Sequence, residues 1–421
     1  MPDERPSPRS EPLSEEDREA PVGDLFRSVE SPYLLPTLRG TGAFLPLLFL
    51  LLAAGCHPAG DSSSMNRLPV TVGEATGGRS HSPADINIPT VSAKVCLRNV
   101  LERCFTVRRL LLDTGSSGLR IFPSAIPTAQ ALPAPLLQTS SLWECLPFGT
   151  AHLWGRVVPA DVTLGGEPAV RDLSIQIVGR SPFSHPPPCG RENGRSLSGI
   201  DGILGVSPGR VDGGAYFECS EPGCRPVAPS PGEAIANPVM RAESDNNGIV
   251  LRFPGIPKNG TGPIMGELLL GVGTARDNRL PPGVRFFPMD RDGFFRAKTG
   301  RSSRLFYGRL DTGTTALVLP DQKMPACSPP LSNLACPDRE TSISIFIPDR
   351  QGEDRKIPVQ VGNAAERLRE HRSLAGDILY FSPETSSPPF ILGMPFFFGK
   401  TLYLLYLPHS PGNNGEFACR C

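Results

Sequence analysis

The sequence predicts an all-β protein built from two similar halves. Many short apolar runs are separated by turn-forming residues, with 48 prolines and 44 glycines among 421 residues, which is typical of short strands joined by turns. An apolar strand that runs into Asp-Thr-Gly occurs twice, at residues 109–119 and 308–317, and both copies continue with two hydroxyl residues. A Leu-Gly element follows each copy, at residues 201–206 and 389–397. The repetition predicts an internal duplication.

Overall charge and cysteine content narrow the functional classes. The 42 basic and 42 acidic residues balance, so we expect no nucleic-acid partner. Eleven cysteines favour an oxidising compartment and disulfides. Metal binding is the competing interpretation, but the sequence holds no Cys-x-x-Cys pair and its six histidines are scattered. We therefore expect no metal site and no cofactor.

Residues 1–55 precede the predicted folded region. Up to about residue 38 they are rich in proline, glutamate, serine and arginine, and we predict that they are disordered or lie upstream of the true start, for which Val29 is a candidate. The apolar run at residues 43–55 is too short to span a bilayer comfortably and has the length of a secretory signal core.

The small residues that end this run, directly before Cys56, resemble a bacterial lipobox. One departure is Ala53, which stands where that motif usually has leucine. The resemblance implies an exported bacterial lipoprotein with a lipidated Cys56, at the periplasmic face of a membrane or at the cell surface. A buried apolar strand and an ordinary cleaved signal are the alternatives.

After a linker at residues 56–66, the two halves are predicted at residues 67–245 and 246–421. We predict strands at residues 68–72, 91–97, 104–112, 201–206, 249–253, 266–271 and 402–406, and a hairpin at 144–157 with glycines at its bends. The Pro/Gly/Cys-rich stretch from Gly209 to about Pro238 is predicted to be loop. A helix is predicted to start at Asn363, with Glu366 completing a capping box, and to reach about His371.

Ten cysteines remain once Cys56 is set aside, an even number. Three pairs are close enough in sequence to form local disulfides: Cys96 with Cys104, Cys219 with Cys224, and Cys327 with Cys336. The other four are Cys145, Cys189, Cys419 and Cys421. Because Cys419 and Cys421 are too close to bond each other readily, we expect each to reach back to one of the other two.

The paired motifs place two aspartates, Asp113 and Asp311, at equivalent positions 198 residues apart. If the halves pack about a two-fold axis, these carboxyl groups meet and share one proton. One of them then accepts a proton from a water molecule while the other protonates a substrate carbonyl. A glycoside hydrolase also uses two carboxylates, and a strand-ending turn without chemistry is the simplest alternative.

Four segments, at residues 113–117, 201–205, 311–314 and 391–393, resemble the signatures of the pepsin-like aspartic peptidases in the order that this family has them. The resemblance covers nearly everything from Leu68 to Tyr406. It implies a bilobal pepsin-like double β-barrel with pseudo-two-fold symmetry and few short helices, and Asp113 and Asp311 as the catalytic pair. The implied supporting residues are Thr114, Gly115, Ser116, Thr312, Gly313 and Thr314. The sequence is more closely similar to bacterial exported proteins of that superfamily, which share the Trp154-Gly155 hairpin.

The resemblance also implies a flap hairpin over the cleft, and here the sequence departs from the family. Phe148 stands where the family has a tyrosine, and Arg120 where it has the tryptophan that bonds this tyrosine. The candidate flap and substrate residues are Phe148, Gly149, Thr150, Trp154 and Arg120. We expect Arg120 to be solvated on a strand face, the alternative being an inward position that lowers the pKa of the aspartates. Trp143 and Trp154 are expected to pack within the hairpin.

Together these features predict an exported, lipid-anchored, monomeric aspartic endopeptidase that acts on a peptide or protein substrate. The alternative is a non-catalytic lipoprotein on the same fold that binds a peptide or an envelope partner. A homodimeric protease is disfavoured because both half-sites already lie in one chain.

Overall fold

The computed structural model of the chain is all-β, as predicted, with 51% of residues in strands and 5% in helices. It describes residues 65–74, 84–97, 104–127, 141–149, 151–179, 186, 189, 199–209, 212–220, 223–290, 292–300, 304–320, 322–369, 373–383, 385, 387–406 and 415–420. The predicted leader at 1–55, the predicted lipidation site Cys56, the candidate flap residue Thr150 and Cys421 lie outside these residues. None of the helices in the described part of the chain has the length and apolar character that crossing a membrane requires.

The first half of the chain is organised around a closed barrel. Its strands are β1 (Arg67–Gly73), β2 (Ile88–Leu97), β3 (Cys104–Asp113), β4 (Ser117–Ile121), β5 (Leu142–Phe148), β6 (Ala151–Leu164), β7 (Val170–Val178), β8 (Gly202–Val206), β9 (Ala215–Ser220) and β10 (Gly223–Val227). The barrel order is β2-β3-β8-β4-β7-β6, and β6 pairs back onto β2 to close six strands. Alternating side chains of β1 and β3 fill the core, which gives these strands their period of two.

The second half contributes a sheet that curves without closing. Its strands are β11 (Gly248–Arg252), β12 (Ile264–Leu270), β13 (Arg285–Met289), β14 (Phe294–Thr299), β15 (Phe306–Leu310), β16 (Leu317–Leu319), β17 (Thr341–Pro348), β18 (Asp354–Val361), β19 (Leu379–Phe381), β20 (Phe390–Leu392), β21 (Thr401–Tyr406) and β22 (Gly415–Cys419). Among the described residues, this half also holds the helices α1 (Ala364–Arg369) and α2 (Met394–Phe397), and a 3-10 turn at Pro123–Ala125 lies in the first half. A half-barrel sheet runs in the order β18-β17-β14-β15-β20-β16-β19.

The strand pairing around the two Asp-Thr-Gly motifs follows one plan. In the first half, β8 is parallel to β3 and antiparallel to β4, and β4 is parallel to β7. In the second half, β20 is parallel to β15 and antiparallel to β16, and β16 is parallel to β19. Each Leu-Gly strand therefore lies between the strand that enters its motif and the strand that leaves it.

The halves are also joined through main-chain pairing. Strand β1 is antiparallel to β12, so one sheet runs from the first half into the second through β12, β11, β21, β22 and β13. This sheet crosses the predicted division between residues 67–245 and 246–421. Main-chain hydrogen bonds between β1 and β12 therefore connect the two halves directly.

The predicted strands and the helix start are confirmed, and one loop prediction is wrong. The Asn363 Oδ1 atom accepts a hydrogen bond from the Glu366 backbone amide at 3.1 Å, which caps α1 as expected. The stretch from Gly209 to Pro238 contains β9 and β10, although it was predicted to be loop. Pairing of β9 with β5 and a disulfide between Cys219 and Cys224 form this hairpin despite its Pro/Gly-rich composition.

The three local disulfides are present: Cys96–Cys104, Cys219–Cys224 and Cys327–Cys336. The predicted bonds from Cys145 and Cys189 to the C-terminal cysteines are wrong, because these two residues bond each other. Both lie in a buried cluster with Trp143, Trp154 and Phe217, far along the sheet from β22. Cys419 is also disulfide-bonded, to a partner outside the described residues.

Candidate functional site

Two loops with the same sequence pattern meet at the centre of the molecule. Strand β3 ends at Asp113, and β15 ends one residue before Asp311. The Asp113 side chain is buried, whereas Asp311 is partly exposed, and both carboxyl groups lie beside Gly313. The fold therefore brings together two acids that are far apart along the chain.

A reciprocal pair of threonines holds the two loops together. The Thr114 amide donates to the Thr312 Oγ1 atom at 3.1 Å, and the Thr312 amide donates to the Thr114 Oγ1 atom at 3.0 Å. Each hydroxyl in turn donates to a carbonyl of the opposite half, Thr114 to Leu310 at 3.0 Å and Thr312 to Leu112 at 2.6 Å. Both threonines are buried, so water does not compete for these bonds.

Hydroxyl groups and backbone amides orient the carboxylates. Ser116 donates its hydroxyl hydrogen to the Asp113 Oδ2 atom, and the Gly115 amide donates to the Oδ1 atom at 2.8 Å. In the second loop, the hydroxyl of Thr314 donates to the Asp311 Oδ2 atom at 2.9 Å and its amide to the Oδ1 atom at 3.1 Å. The hydroxyl contact is equivalent in the two loops, whereas the amide donor follows the aspartate by two residues in the first loop and by three in the second.

The glycines of the two motifs allow the opposite aspartate to approach. A Cβ atom on Gly115 would lie 2.6 Å from the Asp311 Cγ atom. A Cβ atom on Gly313 would lie 2.8 Å from the Asp113 Oδ1 atom. Any side chain at either position would push the carboxyl groups apart, which explains why glycine is required in both copies.

The surroundings raise the pKa of Asp311 to about 7. Desolvation is the largest cause, followed by the charge of Asp113 and the hydrogen bond between the two carboxyl groups. The Thr314 hydroxyl and the charge of Arg309 act in the opposite direction. Asp311 therefore keeps its proton over most of the acidic range, beside the charge of Asp113.

The aspartates lie at the floor of a cleft of about 600 Å³. The β5–β6 hairpin, which we call the flap, covers one side with Leu146, Pro147, Phe148 and Gly149. Phe148 is partly exposed to the cleft, and Gly149 takes the positive φ of 57° that the turn requires. The cleft has the size and the mixed polar and apolar lining of a ligand site.

The two tryptophans pack within the flap hairpin, as expected. Trp154 is buried and stacks on Trp143 with ring centroids 5.4 Å apart. Trp154 is absent from the residues that line the described cleft. Its role is to stiffen the root of the hairpin rather than to contact a ligand there.

The prediction that Arg120 is solvated is wrong. Its side chain is fully buried, and its guanidinium bonds the Glu144 Oε1 atom at 2.9 Å and the Asp212 carboxylate. The reason is that β4 lies between β7 and β8 in the barrel and is buried along its whole length. Among the hydrogen bonds of the described residues, none joins Arg120 to Asp113 or Asp311. Arg120 instead donates to the backbone carbonyl of Ser117 at 2.8 Å.

Arg309 and Asp212 also line the cleft, and sequence reasoning missed both. Arg309 donates to the Gly115 carbonyl at 2.7 Å and stacks over the Phe294 ring at 4.2 Å. A signal for Arg309 existed, because it stands two residues before Asp311 and alternate strand residues share a face. Asp212 had no such signal, since its partner lies 92 residues earlier in the chain.

Among the described residues, no cluster of three or more histidine, cysteine, aspartate or glutamate side chains is arranged to hold a metal ion.

A comparison with known protein families finds a match that includes both motifs. The family described as protein of unknown function (DUF3443) matches residues 62–418. The chain belongs to the DUF3443 family. The DUF3443 match begins just before β1 and ends within β22, so it includes both Asp-Thr-Gly loops, the flap and the sheet that joins the halves. A comparison with curated proteins finds no match.

Proposed function

We propose that the protein is an aspartic endopeptidase on a pepsin-like bilobal fold, which hydrolyses peptide bonds with Asp113 and Asp311. The observation that carries this proposal is the convergence of the two carboxyl groups at the floor of the cleft, where each aspartate packs against the glycine of the opposite motif. The reciprocal Thr114–Thr312 bonds and the matching strand order around each motif support a pseudo-two-fold arrangement of the halves.

The geometry favours peptide over glycoside hydrolysis. Glycosidases place their two carboxyl groups about 5–5.5 Å apart when they retain configuration and about 6.5–9.5 Å apart when they invert it. The Asp113 and Asp311 carboxyl groups both lie against Gly313, which favours a closer approach than either class of glycosidase uses. The Asp113–Asp311 pair is instead suited to share one proton and to bind a single water molecule.

The proposed reaction begins with Asp113 ionised and Asp311 protonated. Asp113 accepts a proton from a water molecule as the oxygen of that water attacks the peptide carbonyl carbon. Asp311 gives its proton to the carbonyl oxygen in the same step. In the second step Asp113 passes its proton to the leaving nitrogen, Asp311 recovers a proton from the diol, and the C–N bond breaks. Both carboxyl groups return to their starting state, and no covalent intermediate forms.

Cleavage of denatured protein between pH 3 and 7 tests this proposal. We expect the purified protein to cut such a substrate, and we expect cleavage to stop in Asp113→Asn and with a statine-type inhibitor. Cleavage that persists in Asp113→Asn would contradict the assignment. A wild-type protein that cuts nothing but retains a bound peptide would instead support the non-catalytic binding alternative, which the replacement of the flap hydroxyl by Phe148 favours.

We further propose that the protein is exported and lipid-anchored through Cys56. Four disulfides within the described residues support an oxidising compartment. In cells fed radiolabelled palmitate, we expect the label to enter the wild-type protein and to be lost in Cys56→Ala. Equal labelling of both proteins would refute the anchor, and Cys96→Ala serves as the cysteine control.

A further inference from the structure

Beside the cleft lies a group of three charged side chains, Arg120, Glu144 and Asp212, which we call the buried charge cluster. Arg120 and Glu144 are fully buried, and the Asp212 side chain is 2% exposed. Only one of the three groups is positive. Burial of charged side chains costs free energy unless well-oriented hydrogen bonds compensate for the lost water. The position of the buried charge cluster beside the cleft therefore suggests that it contributes to the site.

The contacts of Arg120 join three parts of the site. One guanidinium nitrogen donates to the Ser117 carbonyl at 2.8 Å, at the end of the first active-site loop, whose Ser116 hydroxyl holds Asp113. The other nitrogen donates to Glu144, which lies on β5 four residues before the flap residue Phe148. The same nitrogen donates to Asp212 in the cleft wall.

Further contacts fix the two acidic partners in place. The Asp212 Oδ1 atom accepts hydrogen bonds from the Tyr216 hydroxyl at 3.2 Å and from the Gly214 amide at 2.9 Å. Glu144 fills the space beside Gly214, where a Cβ atom would lie 2.3 Å from its Oε1 atom. The Glu144 carbonyl also accepts a hydrogen bond from the Gln176 side chain at 3.0 Å. The cluster therefore has little freedom to rearrange.

We propose that Arg120 is a positioning residue, which fixes the flap and the cleft wall relative to the loop that carries Asp113. The inference rests on the proposed function, because it concerns the same cleft. A planar guanidinium with several donors sets direction as well as distance, which a single neutral contact does not do. Arg120 therefore couples the movements of three parts: the base of the flap at Glu144, the cleft wall at Asp212 and the active-site loop at Ser117.

The electrostatics of Glu144 reflect the burial of the cluster. Burial raises the pKa of the Glu144 carboxyl well above its usual range, and the charge of Asp212 adds to the shift against the attraction of Arg120. Glu144→Gln keeps the size and shape of the Glu144 side chain and removes its charge interaction with Arg120, so it weakens the contact that joins β5 to Arg120.

The test compares Arg120→Met, Arg120→Lys and Glu144→Gln in the full chain, with Arg171→Met as the control. Arg171 lies on β7, and its side chain is 76% exposed in an ion pair with Asp161. Two readouts are needed: kcat and KM for a peptide substrate, and acrylamide quenching of tryptophan fluorescence. The quenching reports on the flap, because the only two tryptophans of the sequence, Trp143 and Trp154, both lie in its hairpin.

We expect Arg120→Met to lower kcat/KM by roughly 10-fold to 100-fold, as misplacement of catalytic parts by about 1 Å does. Quenching should increase in the same variant, Arg120→Lys should recover part of both effects, and Arg171→Met should leave both unchanged. A folded Arg120→Met with kcat/KM within twofold of the wild type would overturn the inference. If Arg120→Met does not fold, the peptide kinetics and the fluorescence quenching of Glu144→Gln test the inference instead.

The quenching also separates this inference from the proposed function. A wild-type protein without peptidase activity would refute the function alone, and the flap measurement would still stand. Under that outcome, increased quenching in Arg120→Met and Glu144→Gln supports the positioning role. Unchanged quenching in both variants overturns it.

Discussion

Replacing Asp311 with asparagine is expected to abolish peptide hydrolysis and, at the same time, to stabilise the protein at neutral pH. Loss of a general acid typically lowers a rate by about 10²–10⁴-fold, which would leave cleavage near background. The stabilisation follows from the raised pKa of Asp311, about 7 in the folded protein against an ordinary 3.8. Under the proposed function, Asp311 is therefore a residue that the activity requires at a cost in stability.

The sign of the stability effect follows from proton binding. Between pH 4 and 7 the folded protein holds a proton on Asp311 that the unfolded chain has released, so the free energy of unfolding falls as pH rises. The stabilising contribution is complete below about pH 4 and is lost as pH rises through about 7. Over this window the loss approaches about 1.4 kcal/mol per pH unit. Asparagine does not titrate, so Asp311→Asn escapes this loss.

Urea unfolding of both proteins at pH 4, 6 and 8 measures the difference. The free energy of unfolding of Asp311→Asn relative to the wild type should increase with pH. Asp338→Asn is the matched control, because Asp338 is exposed and its substitution should leave both the pH dependence and the rate unchanged. Parallel pH profiles for wild type and Asp311→Asn would contradict the pKa assignment, and retained cleavage would contradict the catalytic role.

The sequence was sufficient to predict the central geometry. A duplicated Asp-Thr-Gly pattern places Ser116 and Thr314 three residues after each aspartate, and in the structure both hydroxyl groups bond an aspartate oxygen. The strands that carry these motifs were also predictable, because alternation of buried and exposed residues leaves a pattern with a period of two.

The environment of Arg120 was not predictable from local pattern. An arginine in a strand ordinarily marks a solvated face, but both faces of β4 are covered within the barrel, as in any strand that is buried on two sides. Its partners lie 24 and 92 residues away, so no local spacing reveals them. The Cys145–Cys189 disulfide was missed for the same reason, because the pairing depends on how β5 packs.

Removing the Thr312 hydroxyl is expected to destabilise the protein and to disable the site together. Valine has nearly the shape of threonine, but in Thr312→Val the Leu112 carbonyl loses its donor and the Thr114 amide loses its acceptor. Both groups are buried, and an unsatisfied buried polar group costs about 1–3 kcal/mol, so we expect a loss of about 2–6 kcal/mol. Urea unfolding gives this value, and a peptide cleavage assay gives the rate.

The Thr312 and Thr114 bonds form one network, which makes the effects of their substitutions non-additive. The Thr114→Val/Thr312→Val double variant should lose less stability than the two single variants combined, because each substitution already breaks bonds of the other residue. Thr312→Ser keeps the hydroxyl and should restore most of the stability and rate. Thr106→Val, at an exposed position of the strand that leads to Asp113, should change stability by no more than about 0.5 kcal/mol. If Thr312→Val unfolded at the wild-type urea concentration and cut peptide at the wild-type rate, the two halves would have to be held in register by the β1–β12 sheet alone.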